Sequence, residues 1–212
     1  MRSYEQLRRI NVGCGPHHIR EDWWNVDIRP FQGVDQRHDV TTPWPWLGAE
    51  FVYSEHFIEH LELDDGIGFL VNAGNSLVAG GKVRISTPNL TYVAATHYHP
   101  VGHVRENQRV LETLAINCAF RGWGHKFLWS REMLCFVLEQ IGFESIEQFA
   151  IGESNTTALR NLEKHLETYE FKCGEPSVIN IEASRGPKDI VVSEELLVRA
   201  EREFLSHVRA GH

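Results

Sequence analysis

The chain has 212 residues, enough for one well-buried domain and too few for two, and 42% of them are hydrophobic. Its formal net charge of −8 argues against nucleic acid as a partner, because phosphate binding needs basic patches and the basic clusters here are small, such as Arg8-Arg9. No run approaches the roughly 20 apolar residues of a membrane span. The first residues lack a secretory core, and Cys14, Cys118, Cys135 and Cys173 form no CxxC pair, so the expected setting is the reducing cytoplasm.

Arg9–Val12 reads as a short buried strand that runs into Gly13-Cys14-Gly15-Pro16. Residues 23–28 read as a second strand, 33–40 contain a third, and 41–46 form a loop because Pro43 and Pro45 forbid regular pairing. A fourth strand covers 50–53. Ile67, Leu70, Val71 and Leu77 recur at near-helical spacing, which predicts a helix over 64–77 stopped by Gly80-Gly81. Alternation then predicts a fifth strand over 82–86.

The pattern loosens over 91–129, a segment carrying Tyr92, His97, Tyr98, His99, His103, Trp123, His125 and Trp129. A connection of that length reads as a lid or binding element, with Tyr92 and Trp129 packing and the three histidines at 97, 99 and 103 solvated. Ser130 caps a helix over Arg131–Ile141, and Gly142 ends it. Strands follow over 143–149 and 178–183. A last helix over 193–208 carries Leu197, Ala200, Phe204 and Val208 on one stripe.

This alternation predicts a single α/β domain over 1–212 with a mostly parallel, seven-stranded sheet. The first two crossovers, 16–22 and 29–32, are too short for the usual helix. That half of the sheet is therefore expected to lack helical cover. The 193–208 helix is the expected substitute, from this chain or from a second copy in a homodimer.

Gly13-Cys14-Gly15 follows the first strand, where a sheet of this kind binds ligands, and Asp27 ends the second, where a carboxylate can accept ribose hydroxyls. A dinucleotide fingerprint wants G-x-G-x-x-G, but position 18 is His18, and Asp27 comes sooner than in nicotinamide enzymes. His38-Asp39-Val40 then closes the third strand, Ser54-Glu55-His56 follows the fourth, and Thr87-Pro88-Asn89 follows the fifth.

With that order the chain resembles the class I S-adenosylmethionine-dependent methyltransferases, in the branch whose first strand reads N-x-G-C-G (type 11-like). The resemblance covers 9–90 well and continues more loosely through Gly124-His125-Lys126-Phe127, Gly142-Phe143 and Ile181-Glu182-Ala183. It implies a Rossmann-like fold and S-adenosylmethionine as cofactor, with 8–90 as the cofactor half, 91–129 as the substrate segment and 130–185 as the closing strands. It implies cofactor contacts at Asn11, Gly13, Cys14, Gly15, Asp27, Ile28, Asp39, Val40 and Ser54. Two positions depart from the family: Asn11 replaces the usual acid, and His17 replaces the third glycine.

His56-Phe57-Ile58-Glu59-His60 matches H-x-x-E-H, the inverted zinc-peptidase signature, and on a helix both rings would reach one metal. A zinc hydrolase is thus one alternative, and a non-catalytic nucleotide-binding domain is another. The motif's position directly after a strand of a glycine-loop sheet argues instead for packing, and no metal is expected. Methyl transfer needs an unprotonated acceptor, a small molecule or glycan, and His125 then His56 are the candidate bases.

Overall fold

The computed structural model describes residues 8–98, 106–165 and 169–211. Its strands are β1 (Arg9–Val12), β2 (Trp24–Asp27), β3 (Gln36–Arg37), β4 (Ala49–Glu55), β5 (Leu77–Pro88), β6 (Phe143–Phe149), a small hairpin of β7 (Phe171–Lys172) and β8 (Glu175–Pro176), and β9 (Val178–Arg185). Seven of them form one sheet in the order β3-β2-β1-β4-β5-β9-β6. The first five run parallel, and β9 lies antiparallel between β5 and β6.

The chain winds outward from β1 to β3 and then returns to β4 on the other side of β1. That reversal puts the topological switch point at the carboxyl ends of β1 and β4, where Val12 pairs with both Val26 and Ser54. The helices are α1 (Leu63–Ser76), α2 (Leu90–His97), α3 (Glu106–Arg121), α4 (Arg131–Ile141) and α5 (Glu194–Ala200). The last continues through a π turn at Glu201–Leu205 into Ser206–Ala210.

Local chemistry sets several boundaries. The Ser130 hydroxyl accepts the Met133 amide at 3.2 Å, which caps α4, and Gly142 ends it at φ 102°. Helix α1 stops at Ser76, and the chain enters β5 at once, so Gly80-Gly81 lie inside an extended strand and do not stop the helix. The third strand is only two residues long. Segment 91–129 contains α2 and α3, which the pattern did not predict. Helix α3 has no buried apolar stripe: Val110, Leu111, Leu114 and Phe120 are exposed, and Glu112 is its buried side chain among those described.

No helix lies in the β1–β2, β2–β3 or β3–β4 connection. On one face, Ile10, Val12, Trp24 and Val26 are covered by Val40, Trp44 and Trp46 of the proline loop together with Phe69 and Leu70 of α1. On the other, Asn11 and Asn25 stand where a crossover helix would pack. Their amides hold the 14–23 loop through His18, Arg20 and Trp23 carbonyls at 2.8, 2.8 and 3.0 Å. Beside them, Trp23 and Tyr53 pack with Leu159 and Leu162. The Arg20 guanidinium lies over the Tyr53 ring and also bonds the Leu162 carbonyl.

Within its own chain the terminal helix is therefore not the cover of this half. It packs on the opposite side, with Leu196 and Ala200 in the main core, Phe204 against Phe127 and Arg209 paired to Asp64 at 3.1 Å. Leu196 and Ala200 are buried and Phe204 is half-buried on its inward stripe, while Leu197 and Val208 are exposed. Bulky tryptophans on short loops supply the area that crossover helices would otherwise provide.

One ion-pair group ties the 150–165 loop to the sheet. Arg84 on β5 is fully buried and meets Glu163 and Glu182, each at 2.6 Å, and the Glu153 carbonyl at 2.9 Å. Burial opposes its charge, but the two carboxylates outweigh that and hold its pKa above the usual arginine value.

Candidate active site

The glycine loop is built at the switch point. The Gly13 amide donates to the Val26 carbonyl at 2.9 Å, which turns the chain sharply off β1. Gly13 sits at φ 65°, and a Cβ there would fall 2.2 Å from the Phe57 ring, so only glycine fits. Gly15 also has positive φ, at 51°, and a Cβ there meets nothing within 4 Å, which leaves an open cradle beside its backbone. The Gly15 amide donates to Asp27 Oδ2 at 2.8 Å, and the Arg29 amide donates to Asp27 Oδ1 at 2.9 Å. Each oxygen keeps a lone pair for a further donor.

The other residues implied by the resemblance fall around this pair. Ile28 is apolar and 53% exposed beside Asp27. The His38 amide donates to the Asp27 carbonyl at 3.0 Å, which sets the 38–40 turn against the end of β2. The Asp39 carboxylate accepts the Thr41 hydroxyl at 2.7 Å and its amide at 3.1 Å, and these bonds hold its pKa below the usual range. Val40 is buried, and its carbonyl takes the Trp44 indole at 2.9 Å. Ser54 is buried with an unpartnered hydroxyl oxygen. Asn11 spends one amide hydrogen on the loop, at His18 O, and the other on β2, at Asn25 Oδ1. Cys14 is buried, and burial pushes its thiol up to about 12, so it contributes shape and not a nucleophile.

A cavity of about 660 Å³ opens beside Gly13, Cys14 and Gly15 and extends to His56, His125 and Tyr92. It brings the glycine loop and both candidate bases to one space. His97, expected to be solvated, also lines it; His99 and His103 lie outside the described residues. His56 follows β4 at φ 47°, a left-handed conformation uncommon for non-glycine residues. Its Nδ1 lies 3.3 Å from Glu59 Oε1, and its Nε2 is buried without a hydrogen-bond partner. His125 is fixed differently, with Nδ1 2.8 Å from the Ala119 carbonyl.

The H-x-x-E-H spacing does not make the metal pair that the alternative reading requires. Residues 56–60 come after the end of β4 and hold a single 3-10 turn at Ile58–His60, so the four-residue helical register of His56 and His60 is absent. His56 turns to Glu59, while His60 Nδ1 turns to the Gly124 carbonyl at 3.2 Å. This geometry gives the zinc-hydrolase alternative no support.

The sequence reading missed a second cluster on the cavity wall, made by His18, Glu55 and His165. Glu55 is buried, yet amides of His165 and Lys164 outweigh the effect of burial and hold its pKa below the usual range. Tyr53 donates to it at 3.0 Å, and His165 Nδ1 lies 3.2 Å away. Burial lowers the His18 pKa to about 4, against the pull of Glu55. Glu55 ends the fourth strand and could have been singled out by position, but nothing in the sequence ties it to a residue 110 positions away.

No family model and no curated protein matches the chain. Solved structures do. An S-adenosylmethionine-dependent methyltransferase of Archaeoglobus fulgidus is 19% identical with a TM-score of 0.52, over 85% of this chain and 89% of its own. One from Thermotoga maritima is 15% identical with a TM-score of 0.52, over 84% and 81%. One from Mesorhizobium loti is 18% identical with a TM-score of 0.50, over 84% and 91%. The chain thus has the class I methyltransferase fold.

Proposed function

We propose that the chain transfers a methyl group from S-adenosylmethionine to a small-molecule or glycan-type acceptor. The observation that carries this reading is the Gly15–Asp27 hydrogen bond, which joins the open glycine cradle to a carboxylate with acceptor capacity to spare, beside a cavity lined by histidines. The fold likeness supports the cofactor class. A volume of about 660 Å³ suits a small ligand.

The residues fit the cofactor. Asp27 would take the ribose hydroxyls, Ile28 would lie on the adenine face, and Asp39 with Val40 would meet its edge. The 13–15 backbone, Cys14 and Ser54 would surround the methionine end, with Asn11 holding the loop. When bound, the cofactor supplies a methyl group on a sulfonium, open to direct displacement. The chain's part is then to align the acceptor, exclude water and receive its proton. His56 and His125, both on the cavity wall, are the rings we assign to receive it. His56 is the better placed, because its buried Nε2 has no hydrogen-bond partner and the Glu59 carboxylate stands 3.3 Å from its Nδ1, where it favours a positive charge on the ring.

The test is calorimetry of the purified chain with S-adenosylhomocysteine and, separately, NAD. Saturable binding of the first and none of the second is expected. Binding of NAD alone would overturn the proposal. Radiolabelled methyl transfer to panels of sugars, phenols and amines then identifies the acceptor.

A further inference from the structure

We propose that Glu59, His60 and His125 form a site for one divalent transition-metal ion on the cavity wall. The sequence pattern paired His60 with His56; the structure pairs it with His125, 65 residues further on. One ligand atom from each of Glu59, His60 and His125 lies within 4.8 Å of the others. A tetrahedral ion with bonds of about 2.0–2.2 Å holds its ligand atoms roughly 3.4 Å apart, so the group must close by at most about 1.4 Å.

The two rings are already set for this task. His60 Nδ1 lies 3.2 Å from the Gly124 carbonyl, and His125 Nδ1 lies 2.8 Å from the Ala119 carbonyl. A carbonyl can only accept, so each Nδ1 carries the proton and each Nε2 presents a lone pair. Donation of one ring N–H to a backbone carbonyl is how metal-binding histidines are usually oriented. The rings meet edge to face with centroids 5.2 Å apart. Their backbones are docked as well, because the Lys126 and Phe127 amides both donate to the Glu59 carbonyl, at 2.8 and 3.2 Å.

Glu59 supplies the independent observation. It is fully buried and lines the cavity, and its Oε2 accepts the Thr87 hydroxyl at 3.0 Å. Its Oε1 is buried and accepts no hydrogen bond; His56 Nδ1, 3.3 Å away, is close without being aligned. A buried carboxylate oxygen left without a donor is costly. An ion at this position would satisfy it. Two imidazoles and one carboxylate suit zinc, iron(II), nickel or manganese better than calcium, and three protein ligands leave a position open to the cavity.

The His18–Glu55–His165 cluster also lies within 4.8 Å but is built differently. Both Glu55 oxygens are engaged, by Lys164 N, His165 N and Tyr53 OH, and the Lys164 ammonium holds the His17 and Ile19 carbonyls nearby. It anchors the loop and serves as an internal control. With an ion in place His125 is a ligand, and the acceptor's proton falls to His56.

The experiment uses the full chain, stripped with a chelator and titrated with zinc by calorimetry and with cobalt(II) by visible absorption. One equivalent should bind, with cobalt bands of a low-coordinate site. His60→Ala, His125→Ala and Glu59→Gln should each weaken binding by about a hundredfold or more, and His165→Ala should not, with circular dichroism showing every variant folded. Absence of saturable binding, or binding lost in His165→Ala and kept in His60→Ala, overturns the site. S-adenosylhomocysteine is titrated into the same samples. Its binding without metal binding overturns this inference and leaves the methyltransferase reading standing; metal binding alone does the reverse.

Discussion

Gly15 donates its amide to the Asp27 carboxylate across 2.8 Å, so the loop after the first strand and the end of the second move as one unit. The carboxylate that would meet the ribose also fixes the cradle that would meet the rest of the cofactor. Binding and loop geometry therefore share one side chain.

Asp27→Ala should weaken S-adenosylhomocysteine binding by about ten- to a hundredfold, the loss expected for hydrogen bonds to a charged group. Calorimetry measures it. The same change strands the Gly15 and Arg29 amides, so the melting temperature should also fall; Asp27→Asn, which keeps one acceptor oxygen, should fall less. Unchanged affinity in Asp27→Ala would remove the residue from the site.

Replacing His56 separates backbone strain from chemistry. His56→Ala and His56→Asn should both cut turnover by about a hundredfold with cofactor affinity unchanged. Asn tolerates the left-handed backbone at φ 47° better than Ala does, so only the Ala variant should lose much stability. Turnover retained in either variant would exclude His56 as the base.

Trp46 stands in for a missing crossover helix. It is 3% exposed and donates its indole to Gln36 Oε1 at 2.9 Å, which pins the edge strand. Trp46→Ala should cost about 3–5 kcal/mol in urea unfolding, as large-to-small changes at buried aromatics do. A loss below about 1 kcal/mol would mean that the loop does not cover the sheet.

Stability should also fall in acid, in a defined window. Burial sets the folded pKa of His18 at about 4 against 6.5 for the free side chain, so between those values the unfolded chain takes up a proton that the folded chain refuses. That contribution is fully present above pH 6.5, is lost as pH falls through the window, and levels off below about 4. Glu55, with its folded pKa depressed, adds a loss that begins near its unperturbed 4.5 and continues downward. Urea midpoints between about pH 7 and pH 4.5 should drop in the wild type and less steeply in His18→Gln. Parallel slopes would show that His18 is not the group responsible.

The parts legible in the sequence were those where local chemistry and fold agree. Ser130 and Gly142 bound their helix through their own side chain and backbone, and Gly13, Gly15 and Asp27 sit close enough in the chain for their proximity to follow from two adjacent strands. Helix α3 was illegible because it buries so little apolar surface that no periodicity marks it. The His56–His60 spacing could be discounted from the sequence because a four-residue interval has meaning only on an α-helix, and these residues follow a strand. His165 reaches the cavity by packing against Glu55, 110 positions away in sequence, which composition and spacing do not record.

The helix-free crossovers also bear on the order in which the molecule can assemble. Trp23 and Tyr53 emerge early in synthesis, but the residues that pack over them, Leu159 and Leu162, come more than a hundred positions later. Until then that apolar face has no partner from its own neighbourhood, and the nascent first half of the sheet is a surface other chains can stick to. Closing it requires the long-range clasp of Arg84 with Glu163 and Glu182, so the slow step of folding should be the arrival of the 150–165 loop.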